Sequence, residues 1–82
     1  MKEHIVHRLV GYDPVTDLIA FEHDIPQKKI SFAKNIAHVG PGDPDAIASY
    51  PLSKMSARDL AGALHVDLPA RDLDFFLEPF AL

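Results

Sequence analysis

The stretch RDLDFFLEPFAL, residues 71–82, holds three of the five phenylalanines in the chain. At 100° per residue, four of its apolar side chains would fall within about 100° of one another on a helix; these are Leu73, Phe76, Leu77 and Phe80. Acidic side chains favour the first turn of a helix, and the residue before a proline disfavours helical geometry. The pattern predicts a last helix over about residues 67–78, with this stripe packed on a preceding hairpin.

Phe75 would lie nearly opposite that stripe, next to Asp74 and Glu78. Aromatic side chains bordered by charged groups are typical of interface anchors. We therefore take Phe75, Asp74 and Glu78 as candidate contacts for a partner. The alternative is that Phe75 packs under a neighbouring loop.

A β-hairpin is predicted for KEHIVHRLVGYDPVTDLIAFEHDI, residues 2–25, because both arms are rich in Ile, Val, Leu and Phe. The turn between them contains Asp13 and Pro14. Proline presets φ, and an aspartate side chain can accept a hydrogen bond from the backbone two residues on. Asp17 is expected in the left-handed region, which aspartate tolerates.

Alternation along the two arms predicts which side chains share a face of the hairpin. The richer face should meet the helices and consists of Val6, Arg8, Val10, Tyr12, Ile19, Phe21, His23 and Ile25. The other face should be polar if helices cover only one side of the sheet. It nevertheless contains Ile5, Leu9 and Leu18, which we take as further candidate contacts for a partner.

The middle of the chain adds two helices, one loop and one strand to the prediction. Residues 27–39 favour a helix, with a strand over 28–33 as the alternative. Residues 40–45, GPGDPD, form a loop. Residues 46–52 predict a short strand, placed at a sheet edge because it contains Pro51. A helix follows over residues 53–66, with Ser53 or Ser56 as its cap.

These elements give the order β-β-α-β-α-α. We predict an α+β fold in one domain, residues 1–82, with a three-stranded antiparallel sheet and helices packed mainly on one face. The length of 82 residues suits one domain.

Composition narrows the classes of function. The first twenty residues are too polar for a signal peptide or a membrane span, and the absence of cysteine suits the cytoplasm. The net charge of −4 disfavours nucleic acid as a partner and suits a basic protein better.

The sequence contains no pattern typical of catalysis or of a metal site. The five histidines, at positions 4, 7, 23, 38 and 65, lack zinc-site spacing. His7 could meet Glu22 or Asp24 on the polar face of the hairpin, but two ligands do not complete a site. We expect no cofactor, no catalytic residues and no small-molecule substrate, and therefore a protein that is not an enzyme.

Residues 50–53 are YPLS, and after a predicted helix residues 64–80 are LHVDLPARDLDFFLEPF. This order, together with GYDPVTDLIAFE at 11–22, resembles a class of small uncharacterised bacterial proteins. Their sequences run Y-P-[IL]-[ST], a helix, and aromatic-Asp-aromatic-Phe-Leu-Glu; Leu73 stands at the first aromatic position here. The resemblance implies an immunity protein for a secreted toxin, or another small partner-binding protein.

The sequence therefore predicts a non-enzymatic protein–protein interaction module that binds a basic partner, with the immunity-like role that the resemblance implies. A self-associating structural or regulatory module, forming a homodimer, is the alternative. A small metal-dependent enzyme is a third hypothesis, which would require a dimer to complete the set of ligands.

Overall fold

The computed structural model describes residues 5–81 as a sheet of four antiparallel strands with two α-helices. Its elements are β1 (Ile5–Tyr12), β2 (Ile19–Ile25), a 3-10 turn (Gln27–Lys29), α1 (Ile30–Ile36), β3 (Tyr50–Leu52), α2 (Lys54–Leu64) and β4 (Asp74–Ala81). The strand order in the sheet is β2-β1-β4-β3. The chain is thus an α+β protein whose first and last strands form the centre of the sheet.

The predicted three-stranded sheet with a terminal helix was wrong, because the last element is strand β4. Eight residues of β4 pair with β1, from Ile5 opposite Ala81 to Tyr12 opposite Asp74. This long ladder satisfies the backbone of β1 on the side away from β2. Proline has no backbone N–H group to donate to a neighbouring strand. Pro79 is tolerated because β3 pairs only with residues 75–77, so at Pro79 the strand β4 has a neighbour on one side only.

The predicted hairpin is confirmed, and its turn has the expected chemistry. Asp13 Oδ1 accepts hydrogen bonds from the backbone N–H groups of Val15 at 2.8 Å and Thr16 at 3.1 Å. Asp17 is in the left-handed region with φ 59°. Arg71, from the segment before β4, forms an ion pair with Asp13, which ties the turn to the far end of the chain.

The predicted faces of β1 were wrong, and a bulge explains the error. At the turn, Tyr12 pairs with Ile19, but Gly11 already pairs with Phe21. Ala20 is therefore an extra residue in β2, and beyond it odd-numbered residues of β1 pair with odd-numbered residues of β2. A single inserted residue moves every following side chain of the partner to the other face.

The core lies between α1, α2 and one face of the sheet, which we call the helix face. Strands contribute Leu9, Ile25, Phe75 and Leu77 to it, and the helices contribute Ala33, Ala57, Leu60 and Ala61. Three of the four helix residues are alanine, which lets the helices approach the sheet closely. The predicted helix over residues 27–39 is confirmed over Gln27–Ile36, and α2 is capped by Ser53, whose side chain accepts from the N–H of Ser56 at 3.0 Å.

Gly11 is buried because the ring of Phe75 lies across it on the helix face. A Cβ atom at position 11 would be 2.9 Å from Cε1 of Phe75 and 3.0 Å from Cδ1 of Leu73. Carbon atoms in contact prefer about 3.5–4.0 Å. The position therefore requires glycine so that the aromatic ring of the neighbouring strand can reach the core.

A candidate binding face on the sheet

The side of the sheet away from the helices, which we call the open face, is formed by residues of all four strands. Its members are Val6, Arg8, Val10, Tyr12, Ile19, Glu22, Asp24, Pro51, Asp74, Phe76, Glu78 and Phe80. The apolar members are absent from the core cluster that contains Leu9, Phe75 and Leu77. No helix or strand of residues 5–81 lies over this side as a second layer, so its side chains cover one another.

Aromatic rings occupy the centre of the open face. Tyr12 and Phe76 meet edge to face, with ring centroids 5.6 Å apart and an interplanar angle of 79°. Val10, opposite Phe76 in the ladder, is fully buried although it is outside the core cluster. The rings therefore shield the sheet from water while remaining only partly buried themselves.

Arg8 lies over a third ring of the open face. Its guanidinium carbon is 4.6 Å from the centroid of Phe80, a cation–π distance. Arg8 Nε also donates to Asp24 Oδ1 at 2.7 Å, and Arg8 Nη1 lies 4.0 Å from Oε2 of Glu22. The open face thus already binds one guanidinium between an aromatic ring and carboxylates.

The charge of the open face is negative. Four carboxylates (Glu22, Asp24, Asp74 and Glu78) accompany one guanidinium, that of Arg8. Three of the four lie on β2 or at the start of β4, where the side chains are exposed. Arg8 pairs with Asp24 and Glu22, and Asp74 has no ion pair among residues 5–81.

Glu78 is held by two hydroxyl groups. Tyr12 Oη donates to one carboxylate oxygen at 2.5 Å, and Ser49 Oγ donates to the other at 2.6 Å. The hydrogen bond to Glu78, together with burial and the negative charges nearby, raises the pKa of Tyr12 to about 12. Glu78 therefore fixes the tyrosine ring and the loop before β3 relative to β4.

The candidate contacts named from the sequence are divided between the two faces. Asp74 and Glu78 lie on the open face, two same-face steps apart on β4. Phe75 is 7% exposed and Leu9 is fully buried, so both belong to the core, and their predicted exposure was wrong. Ile5 is 39% exposed at the start of β1, and Leu18 is 68% exposed in the hairpin turn.

Sequence reasoning missed Arg8, Tyr12, Phe76 and Phe80 as surface groups. The helical pattern placed Phe76 and Phe80 in the core, and the face assignment of the hairpin placed Arg8 and Tyr12 there as well. The signal that could have found them is the alternation from Asp74 to Phe80, in which even-numbered residues include both acids. Phe75, Leu77 and Pro79 are the alternate set.

A second polar cluster stabilises the loop between α1 and β3. The carboxylate of Asp43 accepts hydrogen bonds from the N–H groups of Ile47 and Ala48 at 2.9 and 3.0 Å, and from Tyr50 Oη at 2.6 Å. The bond from Tyr50, followed by the two backbone bonds, lowers the pKa of Asp43, and the same contact raises that of Tyr50. The three hydrogen bonds to the carboxylate of Asp43 all come from groups of the protein itself, and they hold the loop in place. The cluster therefore has a structural role.

The four histidines within residues 5–81 do not form a metal site. His7 is on the helix face, and its Nε2 atom lies 3.0 Å from the carbonyl of Asp45 and 3.1 Å from that of Ala46. The predicted meeting of His7 with Glu22 or Asp24 was wrong, because those carboxylates are on the open face. His4 lies outside the described residues. Within residues 5–81, no three His, Cys, Asp or Glu side chains are placed to hold a metal ion.

A shallow groove of about 630 Å³ lies between α2 and the segment that leads into β4. Two ion pairs lie in or beside it, Lys54 with Asp72 at 2.5 Å and Arg71 with Asp13, and Arg58 and Asp67 also line it. Its lining has no serine, threonine, cysteine, histidine or tyrosine. The groove therefore lacks the common nucleophiles and lacks the negative charge of the open face.

Within the described part of the chain, no helix has the length and hydropathy needed to cross a bilayer. Comparison with known families matches residues 7–78 to the model described as Domain of unknown function (DUF7683). No curated protein and no solved structure matches the chain.

Proposed function

The chain belongs to the DUF7683 family, a domain of unknown function, and we propose that it is a non-enzymatic protein-binding module whose open face binds a basic protein. The observation that supports this most strongly is the composition of the open face. Three aromatic rings lie among four carboxylates and one guanidinium, on a side of the sheet that no helix of the described residues covers.

The aromatic rings provide contact area with little loss of side-chain freedom. Phe76 and Phe80 are held by their neighbours Tyr12 and Arg8, and ordered rings lose little entropy when a partner packs on them. Aromatic side chains are also the commonest energetic centres of protein interfaces. The open face therefore supports binding through its centre rather than through its edge alone.

The carboxylates give the open face its preference for positive charge. The contact of Arg8 with Phe80 and Asp24 is an intramolecular example of the chemistry that a basic partner would use. A lysine or arginine of the partner can approach Asp74, which has no ion pair within residues 5–81. Complementary charge speeds association and selects the partner, and salt screens it over about 10 Å at 0.1 M.

The proposal also includes a biological role and a location in the cell. An immunity-like role, with a basic toxin domain as partner, rests on the resemblance of YPLS and the segment 64–80 to small bacterial partner-binding proteins. A cytoplasmic location rests on the absence of cysteine from the sequence. The role and the location are proposed together, because an immunity protein has to be in the compartment in which the toxin acts.

The test uses the protein as bait in a lysate of its host and then moves to purified components. A captured protein must bind again when both partners are pure, in calorimetry at 50 mM salt. Asp74→Lys should weaken that binding at least tenfold. Asp59→Lys is the matched control, since Asp59 is an exposed acid on α2, and it should change the affinity less than twofold.

Two results would overturn the proposal. One is a purified partner that binds wild type and Asp74→Lys equally while Asp59→Lys weakens it, which would move the interface to the helices. The other is the recovery of no partner that binds again in pure form, including the products of genes adjacent to the one that encodes this chain.

A further inference from the structure

The sheet has two edges, and they differ in what they can accept. One edge is β3, which has three residues and contains Pro51. Proline lacks the N–H group that a further strand would need. The other edge is β2, which has seven residues and no proline. Of the two edges, only β2 is long enough and suitably composed to pair with another strand.

The outer side of β2 has unpaired backbone groups. In an antiparallel ladder, every second residue directs its N–H and C=O groups away from the neighbour. Within residues 5–81, no backbone hydrogen bond outside the β1–β2 ladder involves residues 19–25. One side chain reaches this backbone: His23 Nδ1 donates to the carbonyl of Asp24 at 2.8 Å, and that oxygen can still accept a second bond.

The side chains of β2 select what can pair with it. Glu22 and Asp24 are exposed on the open face, whereas Phe21, His23 and Ile25 are directed to the helix face. A strand added next to β2 would place the Cβ atoms of its alternate residues about 4.5–5.5 Å from the Cβ atoms of Glu22 and Asp24. Lysine or arginine at those positions would be attracted, and acids would be repelled.

A second copy of this chain is a poor occupant of the same edge. Antiparallel pairing of all seven residues of β2 with its copy places Glu22 opposite Glu22. Moving the centre to His23 places Glu22 opposite Asp24 twice, and moving it to Phe21 forces the ladder through the bulge at Ala20. Like charges directly opposite one another destabilise a strand pair.

We infer that a basic partner binds by adding an extended segment to the edge of β2 as a fifth strand, with lysine or arginine at alternate positions. The inference rests on the proposed function and specifies its geometry. Added in this way, the segment continues the open face beyond Glu22 and Asp24. The rest of the partner then extends over Phe76 and Phe80.

The probe is an acetylated and amidated peptide of seven residues in which lysine and valine alternate. Titration into ¹⁵N-labelled protein at 20 mM salt should give saturable shifts of the β2 amides and slow their hydrogen exchange. A peptide with glutamate in place of lysine should bind at least tenfold more weakly. Glu22→Gln with Asp24→Asn should also weaken binding of the lysine peptide about tenfold, with circular dichroism confirming that the variant folds.

Two further peptides test for strand addition itself. One is N-methylated at every lysine and the other at every valine. A strand that pairs along one of its edges uses the N–H groups of alternate residues only. One of the two methylated peptides should therefore keep its affinity, and the other should lose at least tenfold.

The outcomes separate this inference from the proposed function. Equal binding by both methylated peptides would overturn strand addition and leave the open face as a charge-selective surface. No saturable binding of the lysine peptide up to 5 mM would also overturn strand addition, while the Asp74→Lys comparison with a captured partner still decides the proposed function. A protein mass that doubles with concentration, and reverts in a variant of β2, would assign the edge to a second copy instead.

Discussion

The helix face and the open face of the sheet are built from the same strands but reach stability by different means. On the helix face, Leu9 and Leu77 pair directly and are almost fully buried under α1 and α2. On the open face, Phe76 and Phe80 are only partly buried and pack against Tyr12 and Arg8. The difference shows that apolar content alone does not identify the core, because a neighbouring polar group can keep a ring at the surface.

The largest expected effect comes from removing a ring on each face in turn. Phe75→Ala should lower the free energy of unfolding by about 3–5 kcal/mol, because the ring fills the core next to Gly11. Phe76→Ala should cost less, since its ring is only partly buried. Urea denaturation of both variants measures the difference, and a greater loss for Phe76→Ala would reverse our assignment of the two faces.

A smaller effect is expected when a methyl group is added beneath Phe75. Gly11→Ala should destabilise the protein by about 1–3 kcal/mol, because the new Cβ would overlap the ring. Gly62→Ala is the control: it adds the same group on α2 with no atom within 4 Å. That change should stabilise by about 0.5–1 kcal/mol, as alanine favours helices over glycine. Similar effects of both changes would show that the Gly11–Phe75 contact is not formed.

Loss of one hydroxyl on the open face should have a still smaller effect. Tyr12→Phe removes the hydrogen bond to Glu78 and should cost about 1 kcal/mol at pH 7. The raised pKa of Tyr12 adds a pH dependence: its contribution is complete below pH 10 and is lost as pH rises through about 12. Thermal melts from pH 8 to 12 should therefore show the two proteins converging in stability. A difference that stays constant over that range would mean that the contact with Glu78 is absent in solution.

The smallest expected effect on stability comes from replacing Asp43 in the loop before β3. The lowered pKa of Asp43 means that its stabilising contribution is complete above pH 3.8, its usual pKa, and is lost as pH falls through the lower folded value. Asp43→Asn should be less stable than wild type at pH 6, and the gap should narrow below pH 3.8. Denaturation at a series of pH values tests this, and a gap that widens in acid would contradict it.

Local signals in the sequence were sufficient for much of the fold. The turn at Asp13, the left-handed Asp17 and the cap at Ser53 depend on residues close to one another in sequence. The first two were predicted, and the cap was predicted at Ser53 or Ser56. The last strand could not be assigned in this way. Leu73 and Leu77 fit a helical stripe and also fit alternation, so the choice depends on the distant strand β1, whose side away from β2 pairs with β4.

The open face was only partly predictable for a related reason. Asp74 and Glu78 were identified as candidates because acids next to aromatic residues are a local signal. Arg8 and Tyr12 were assigned to the core because the bulge at Ala20 reverses the pairing of the hairpin. A bulge adds one residue without a distinctive sequence, so the face of β1 becomes visible only in the assembled sheet.

The most direct test of the central claim measures whether the open face is accessible and attracts positive charge. Two nitroxide probes of similar size, one cationic and one anionic, are added separately to labelled protein, and the broadening of its aromatic NMR signals is compared. The account predicts that the cationic probe broadens Phe76 and Phe80 more strongly than the anionic probe, with Phe75 protected from both. Protection of Phe76 and Phe80 from both probes, or stronger broadening by the anionic probe, would contradict it.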